Sequence, residues 1–148
     1  MGVILAAVFV LAFFGAVVPL LTGGTGAARA EVNGHFPAQV GLGQTVQVPL
    51  AVDNTGDSVI GPLCLRASVD PASVVTPVEV NFQGLDTVPF TRGEACGGSL
   101  SGGEVITAKV SIRGAATGSA RVTMVVTLQG REVGPQLHAI VAVAAAQG

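Results

Sequence analysis

The chain has 148 residues, 49% hydrophobic and only 11% charged, with a formal net charge of −2. Residues 31–148 carry six basic against nine acidic side chains, a formal charge of −3, and Lys109 is the single lysine, which excludes the basic footprint of a nucleic-acid or anionic-lipid binder. Six Phe are the only aromatic residues and three lie within the first 14 positions, leaving Phe36, Phe82 and Phe90, too few to build stacking platforms for sugar rings or bases.

The chain opens on a charge-free run from Gly2 to Leu21 that leads into a small-residue stretch ending Ala28-Arg29-Ala30. Positions 3–14 have the length of a signal-peptide apolar core, and Ala28 and Ala30 provide the small-x-small pattern of a cleavage site, with Glu31 as the first mature residue. Read through to Leu21, the run has 19 residues and would span roughly 28 Å as a helix, close to a bilayer core. Two readings therefore stand: residues 1–30 are a cleaved signal peptide, or they form an N-terminal membrane anchor. Met1-Gly2 lacks the usual basic n-region, so the orientation cue is weak for both. Either way the rest of the chain is expected outside the cytoplasm, secreted or held to the cell membrane only by this helix.

Residues 31–148 suit one domain with a single core. Residues 45–53 alternate strictly, with Val46, Val48, Leu50 and Val52 on one face, which predicts a strand with one buried side. Pro49 within it cannot donate to a ladder and predicts an edge or a bulge. Asn54, Thr55, Gly56 and Asp57 supply turn chemistry, and residues 59–69 resume extended character with Leu63, Leu65, Ala67 and Val69 in phase and Cys64 on the opposite face. Asp70-Pro71-Ala72-Ser73 predicts a turn, followed by a strand over 74–81 interrupted by Pro77. Residues 84–103 hold seven Gly and Pro, which predicts a long loop around at most one short strand, pinned by Cys96 and suited to partner-specific contact.

Alternation returns over 105–113, 120–129 and 136–144, with turns at 114–119 and 130–135. No segment after the leader sustains a helical period over three turns. About seven short strands separated by turns make an all-β protein, an antiparallel immunoglobulin-like β-sandwich preceded by one N-terminal hydrophobic helix. Cys64 and Cys96 both fall in the exported part, where a disulfide is the expected state; two buried free thiols are the competing one.

The run Gly43-Gln44-Thr45-Val46-Gln47-Val48-Pro49-Leu50-Ala51-Val52-Asp53-Asn54-Thr55-Gly56, followed by Leu100-Ser101-Gly102-Gly103-Glu104-Val105, resembles the bacterial cell-surface immunoglobulin-like modules of the cell-adhesion-related group. There a V-x-V-x-N-x-G strand and turn precede an L-x-x-G-E turn into the closing strands. The first half is also similar to the start of cohesin domains, with Val69-Asp70-Pro71-Ala72 matching a D-P-x turn. The resemblance covers most of residues 40–144. It implies an extracellular binding or spacer role and assigns no functional residues.

The residues themselves offer little chemistry. His35 and His138 are the only histidines, and no Gly-x-Ser-x-Gly elbow, His-Glu-x-x-His or phosphate loop is present, so no catalytic, cofactor or metal residue is assigned and the protein is expected not to be an enzyme. Asp53, Asn54 and Asp57 could supply part of a Ca²⁺ site, but Ca²⁺ takes six or more oxygens, and an Asx turn after a strand accounts for them more simply. Ser101-Gly102-Gly103-Glu104 has the form of a capping box, yet the alternation after it makes it a turn into a strand. The expected function is an exported, non-enzymatic protein-binding or structural module of the cell envelope, an adhesion, spacer or accessory subunit that meets protein partners at the cell surface. The alternative keeps the N-terminal helix, making a membrane-anchored or pilin-like subunit of a membrane complex or extracellular filament. The helix lacks the acidic residue near its start that type IV pilins use, and no prepilin-type motif precedes it.

Overall fold

The computed structural model describes residues 28–145, and the helix expected over the leader lies outside them. Eleven strands form: β1 (Ala30–Gly34), β2 (Gln39–Gly41), β3 (Thr45–Asn54), β4 (Cys64–Asp70), β5 (Val75–Phe82), β6 (Thr87–Pro89), β7 (Glu94–Cys96), β8 (Val105–Gly114), β9 (Gly118–Leu128), β10 (Arg131–Glu132) and β11 (Leu137–Ala144). The described residues contain no helix.

The strands sort into two sheets. The first has the order β1-β3-β8-β5-β6, and the second β2-β11-β9-β4-β7, with β10 hairpinned onto β9. All pairings are antiparallel except β2 with β11. The alternating apolar positions point inward from both sheets, so Val48, Leu50, Val52, Val80, Phe82, Val110 and Ile112 from the first meet Leu65, Met124, Val126 and Val141 from the second. Phe82 is the largest side chain fully enclosed, and Ile60, Leu63 and Leu100 from the connecting loops close the core at one end. This is the packing that a period-two sequence pattern dictates when one face of each sheet must leave water.

Several expectations are corrected. Strand β4 begins at Cys64 rather than at residue 59, because the Gly61-Pro62 pair breaks the ladder and only an isolated bridge joins Ile60 to Leu100 before it. Residues 84–103 carry two short strands, β6 and β7, not one at most. Strands β1 and β2 precede the first strand read from alternation; they are five and three residues long, too short for a periodic signal. Pro49 causes no bulge, and β3 is internal to its sheet. The reason is local: β1 pairs with β3 only as far as Leu50, so Pro49 lies just past that end, where no neighbouring strand needs its missing donor. Pro77 does interrupt its strand, with a register shift between Pro77 and Glu79 against β8. The turn after β9 is tight, formed by Gln129 and Gly130 at φ 53° and 80°, the positive-φ pair that a two-residue hairpin requires.

The two ends of the sandwich differ. Asn54, Ala30 and Val105 of the first sheet share one end with Cys64, Cys96 and Thr127 of the second; the link between them is the Ala30 amide, which donates to the Val133 carbonyl at 2.9 Å. At the opposite end Leu42 donates to Ala144, and Gly43 to Gly114, at 2.8 Å each. The described chain thus enters at one end and leaves at the other.

Candidate functional site

At the end where the described chain enters, the side chain of Asn54 organises the loops. It is 0% exposed, and its amide nitrogen donates to the carbonyls of Ser58 at 2.8 Å and Leu100 at 3.0 Å. Its Oδ1 accepts from the Gly56 amide at 3.0 Å, an Asx turn. The Asn54 backbone adds two bonds to the neighbouring turn, donating to the Glu104 carbonyl and accepting from the Gly103 amide, each at 2.9 Å. The Glu104 carboxylate in turn accepts from the Ser101 amide at 2.8 Å, closing that turn before β8. The two motifs behind the family resemblance are therefore one packed unit. The Asn54 oxygen is engaged internally and the side chain is enclosed, while Asp53 lies in β3 opposite Val105 and Asp57 lies exposed in the turn.

Cys64 and Cys96 stand directly opposite each other on β4 and β7, with Cα atoms 4.0 Å apart, and are joined as a disulfide. The register then forces Arg66 opposite Glu94. Around this pair lies a polar cluster on the outer face of the second sheet. The Arg66 guanidinium donates to the Gly130 carbonyl at 2.7 Å and sits 3.9 Å from both the Glu94 and Glu132 carboxylates. The buried Thr127 hydroxyl donates to Glu94 at 2.6 Å, and Gln136 donates to Glu132 at 3.2 Å. The Arg66, Glu94 and Glu132 side chains are 35%, 31% and 43% exposed, so the ion pairs are screened and add little stability. Cys64, Glu94 and Cys96 bring their donor atoms within 4.8 Å of one another, but metal ligation requires thiolates and both sulfurs are committed to the disulfide.

Beside this cluster an open groove is lined by Ala28, Leu128, Gln129, Arg131, Glu132 and Val133. His35 follows β1 and is exposed. His138 lies exposed on β11, its Nδ1 3.1 Å from the Thr123 hydroxyl, with no carboxylate hydrogen-bonded to the ring among the described residues. That pair lacks the third group that would orient an imidazole as a base. The expected cleavage residues fall inside the fold: Ala30 opens β1 and is buried, and Glu31 pairs with Asp53.

The Arg66 cluster was not read from the sequence. Its signal was the mirrored spacing Cys64-x-Arg66 and Glu94-x-Cys96, which a cross-strand disulfide converts into a facing pair.

No protein-family model matches the chain, and no curated protein matches it. Solved structures do share the fold. A cohesin module from a family 33 glycoside hydrolase of Clostridium perfringens matches with a TM-score of 0.55 and 12% identity over 82% of this chain and 100% of that one. The CARDB domain of the PF1109 protein from Pyrococcus furiosus matches at 0.50, with 17% identity over 80% of this chain and 95% of that one. AvmM, described as catalysing macrocyclization in alchivemycin A biosynthesis, matches at 0.56, with 15% identity over 82% and 91%. The described domain is thus an immunoglobulin-type β-sandwich of the kind found in cohesin and CARDB modules. A catalyst stands among the neighbours, so the architecture alone does not assign or exclude chemistry.

Proposed function

We propose that the chain is an exported, non-enzymatic module of the cell envelope that works by protein contact, as an adhesion, spacer or accessory subunit. The observation that carries this reading is the placement of the first and last described strands' outer ends, at Ala30 and Ala144, at opposite poles of a disulfide-stapled sandwich. The ten residues of β8 set the pole-to-pole length at about 30 Å at 3.3 Å per residue. A domain threaded this way is a strut: a tether at residue 28 holds the pole formed by Leu42, Gly114 and Ala144 farthest from its attachment. The apolar run at positions 3–21 precedes that tether, as an export leader or a retained anchor would. A cross-strand disulfide fits an oxidising compartment, and among the described residues the His138–Thr123 pair has no carboxylate hydrogen-bonded to its ring. The fold is shared with a cohesin module and a CARDB domain, each a module within a larger protein, which makes protein contact the reading to test first.

The test is expression of the full chain with its own leader in a bacterial host, followed by fractionation, protease accessibility on intact cells and thiol alkylation before and after reduction. Recovery outside the cytoplasm, with both cysteines alkylated only after reduction, supports the proposal. A cytoplasmic chain with freely alkylated cysteines refutes it.

A further inference from the structure

The small-x-small pattern at Ala28-Arg29-Ala30 puts the cut after Ala30, yet the fold uses the residues that such a cut would remove. Ala30 is 1% exposed, pairs with Asn54 across the β1–β3 ladder, and donates its amide to Val133 at 2.9 Å, the link that ties the first sheet to the second at this pole. The Arg29 carbonyl accepts from two amides of the Asn54 turn, Thr55 at 3.0 Å and Gly56 at 3.2 Å. Gly134 approaches the Ala30 carbonyl so closely that a Cβ there would overlap it. Ala28 packs against the core's edge. Arg29 and Ala30 are thus components of the pole, bridging β1, the Asn54 turn and the segment after β10. Starting the chain at Glu31 would delete three backbone hydrogen bonds at once, taking the Arg29 carbonyl from the Thr55 amide and leaving the Gly56 amide with Asn54 Oδ1 alone.

The sequence contains a second site of the same form one turn of the pattern earlier. Gly26, Ala27 and Ala28 are all small, so Gly26 and Ala28 satisfy the small-x-small requirement for a cut between Ala28 and Arg29. We infer that Arg29 is the first residue of the processed domain, and that Arg29 and Ala30 are retained because the sandwich is built with them. The inference rests on the export reading and makes it more specific: the leader is removed at the cost of the Ala28 packing contact, and the bond cut is one that leaves the backbone hydrogen bonds of Arg29 and Ala30 in place.

The experiment is N-terminal sequencing and intact mass of the full chain, expressed with its native leader and recovered from each cell fraction, alongside the A30L variant. Processing acts on the unfolded chain, so A30L reports on the cut bond even if the variant folds poorly. The expected result is Arg29 as the first residue of the wild type and an unchanged cut in A30L, since Ala30 would lie beyond the scissile bond. A start at Glu31, or a block of processing in A30L, overturns the inference while leaving export standing. An uncut leader in the membrane fraction overturns it in favour of a retained anchor. An uncut chain in the cytoplasm overturns it together with the export reading.

Discussion

Replacing Asn54 tests whether one carboxamide holds the loop pole together. Three hydrogen bonds end on that side chain, all within an enclosed site: two donated to the Ser58 and Leu100 carbonyls and one accepted from Gly56. A net value of about 1 kcal/mol per bond puts the expected cost of N54A at about 3 kcal/mol, with the Leu100 carbonyl left to the Ile60 amide alone and the Asx turn at Gly56 undone. N54D separates hydrogen bonding from packing. It keeps the size and the Gly56 bond but turns both donors into acceptors facing two carbonyls, so it should cost at least as much as N54A. Urea unfolding under oxidising conditions, followed by circular dichroism, measures both; on the thermal scale the loss corresponds to a midpoint lowered by about 10 °C for a domain of this size. N54A within about 0.5 kcal/mol of wild type, or N54D milder than N54A, would refute the assignment of the pole to this side chain.

Four other perturbations follow from the geometry. Reducing the disulfide, which closes a loop across a separation of 32 residues, should lower stability by roughly 3.7 kcal/mol in the chain-entropy model, read as a shift of the urea midpoint with and without reductant. G114A should cost about 1–3 kcal/mol, because the new Cβ would lie 2.6 Å from the Gly41 carbonyl oxygen and 2.9 Å from the Val143 side chain; hydrogen exchange at Leu42 and Gly43 should quicken with it. R66A, by contrast, should change stability by less than about 1 kcal/mol, since both its ion pairs are long and solvated, and double-mutant cycles with E94A and E132A should find small couplings. I140K, at a side chain 61% exposed, should leave the unfolding midpoint unchanged within about 0.5 kcal/mol while reducing self-association in sedimentation at high concentration.

What the sequence disclosed follows the range of each interaction. The strands β3, β8, β9 and β11 are eight or more residues long with apolar residues at alternate positions facing the core, so their period of two is visible in the chain even where β8 and β9 also bury outward residues such as Ser111, Val125 and Thr127. Strands β1, β2, β6 and β7 are too short to carry a period, and their pairings are set by partners elsewhere in the chain rather than by their own residues. The turn after β3 could be read from Asn54 and Gly56, because an Asx turn is local. The role of Asn54 as a link to Leu100 could not, because the bond joins residues 46 positions apart. The same holds for Ala30: as a sequence position it looks like a peptidase site, and only its pairing with Asn54 and Val133 reveals a strand. The Arg66 cluster became predictable only once the disulfide had set the β4–β7 register.

The sheet edges narrow how such a module can meet a partner through its backbone. Each outermost strand is short, three residues for β2, β6 and β7 and five for β1, so internal strands protrude past their neighbours. Three of those protrusions carry a blocking device. Residues 45–49 of β3 contain Pro49, which offers no donor; β5 is shifted in register between Pro77 and Glu79; and beyond β7 the Ala67 amide of β4 is taken by the Gly93 carbonyl at 2.7 Å. Strand β11 has no such device. It pairs with β2 only from Ala142 onward, where the Ala142 amide donates outward to Ala38, so the backbone groups of His138 and Ile140, in phase with Ala142, face the same open side. Ile140 is also among the most exposed large apolar side chains described. Among the described internal strands that protrude past their neighbours, this stretch of β11 is thus open to edge pairing without such a device. Short edge strands, a proline and a register shift each weaken the template that a long flat edge would offer to a second sheet, so I140K, which puts a charge on the open stretch of β11, is the substitution that tests whether copies pair there.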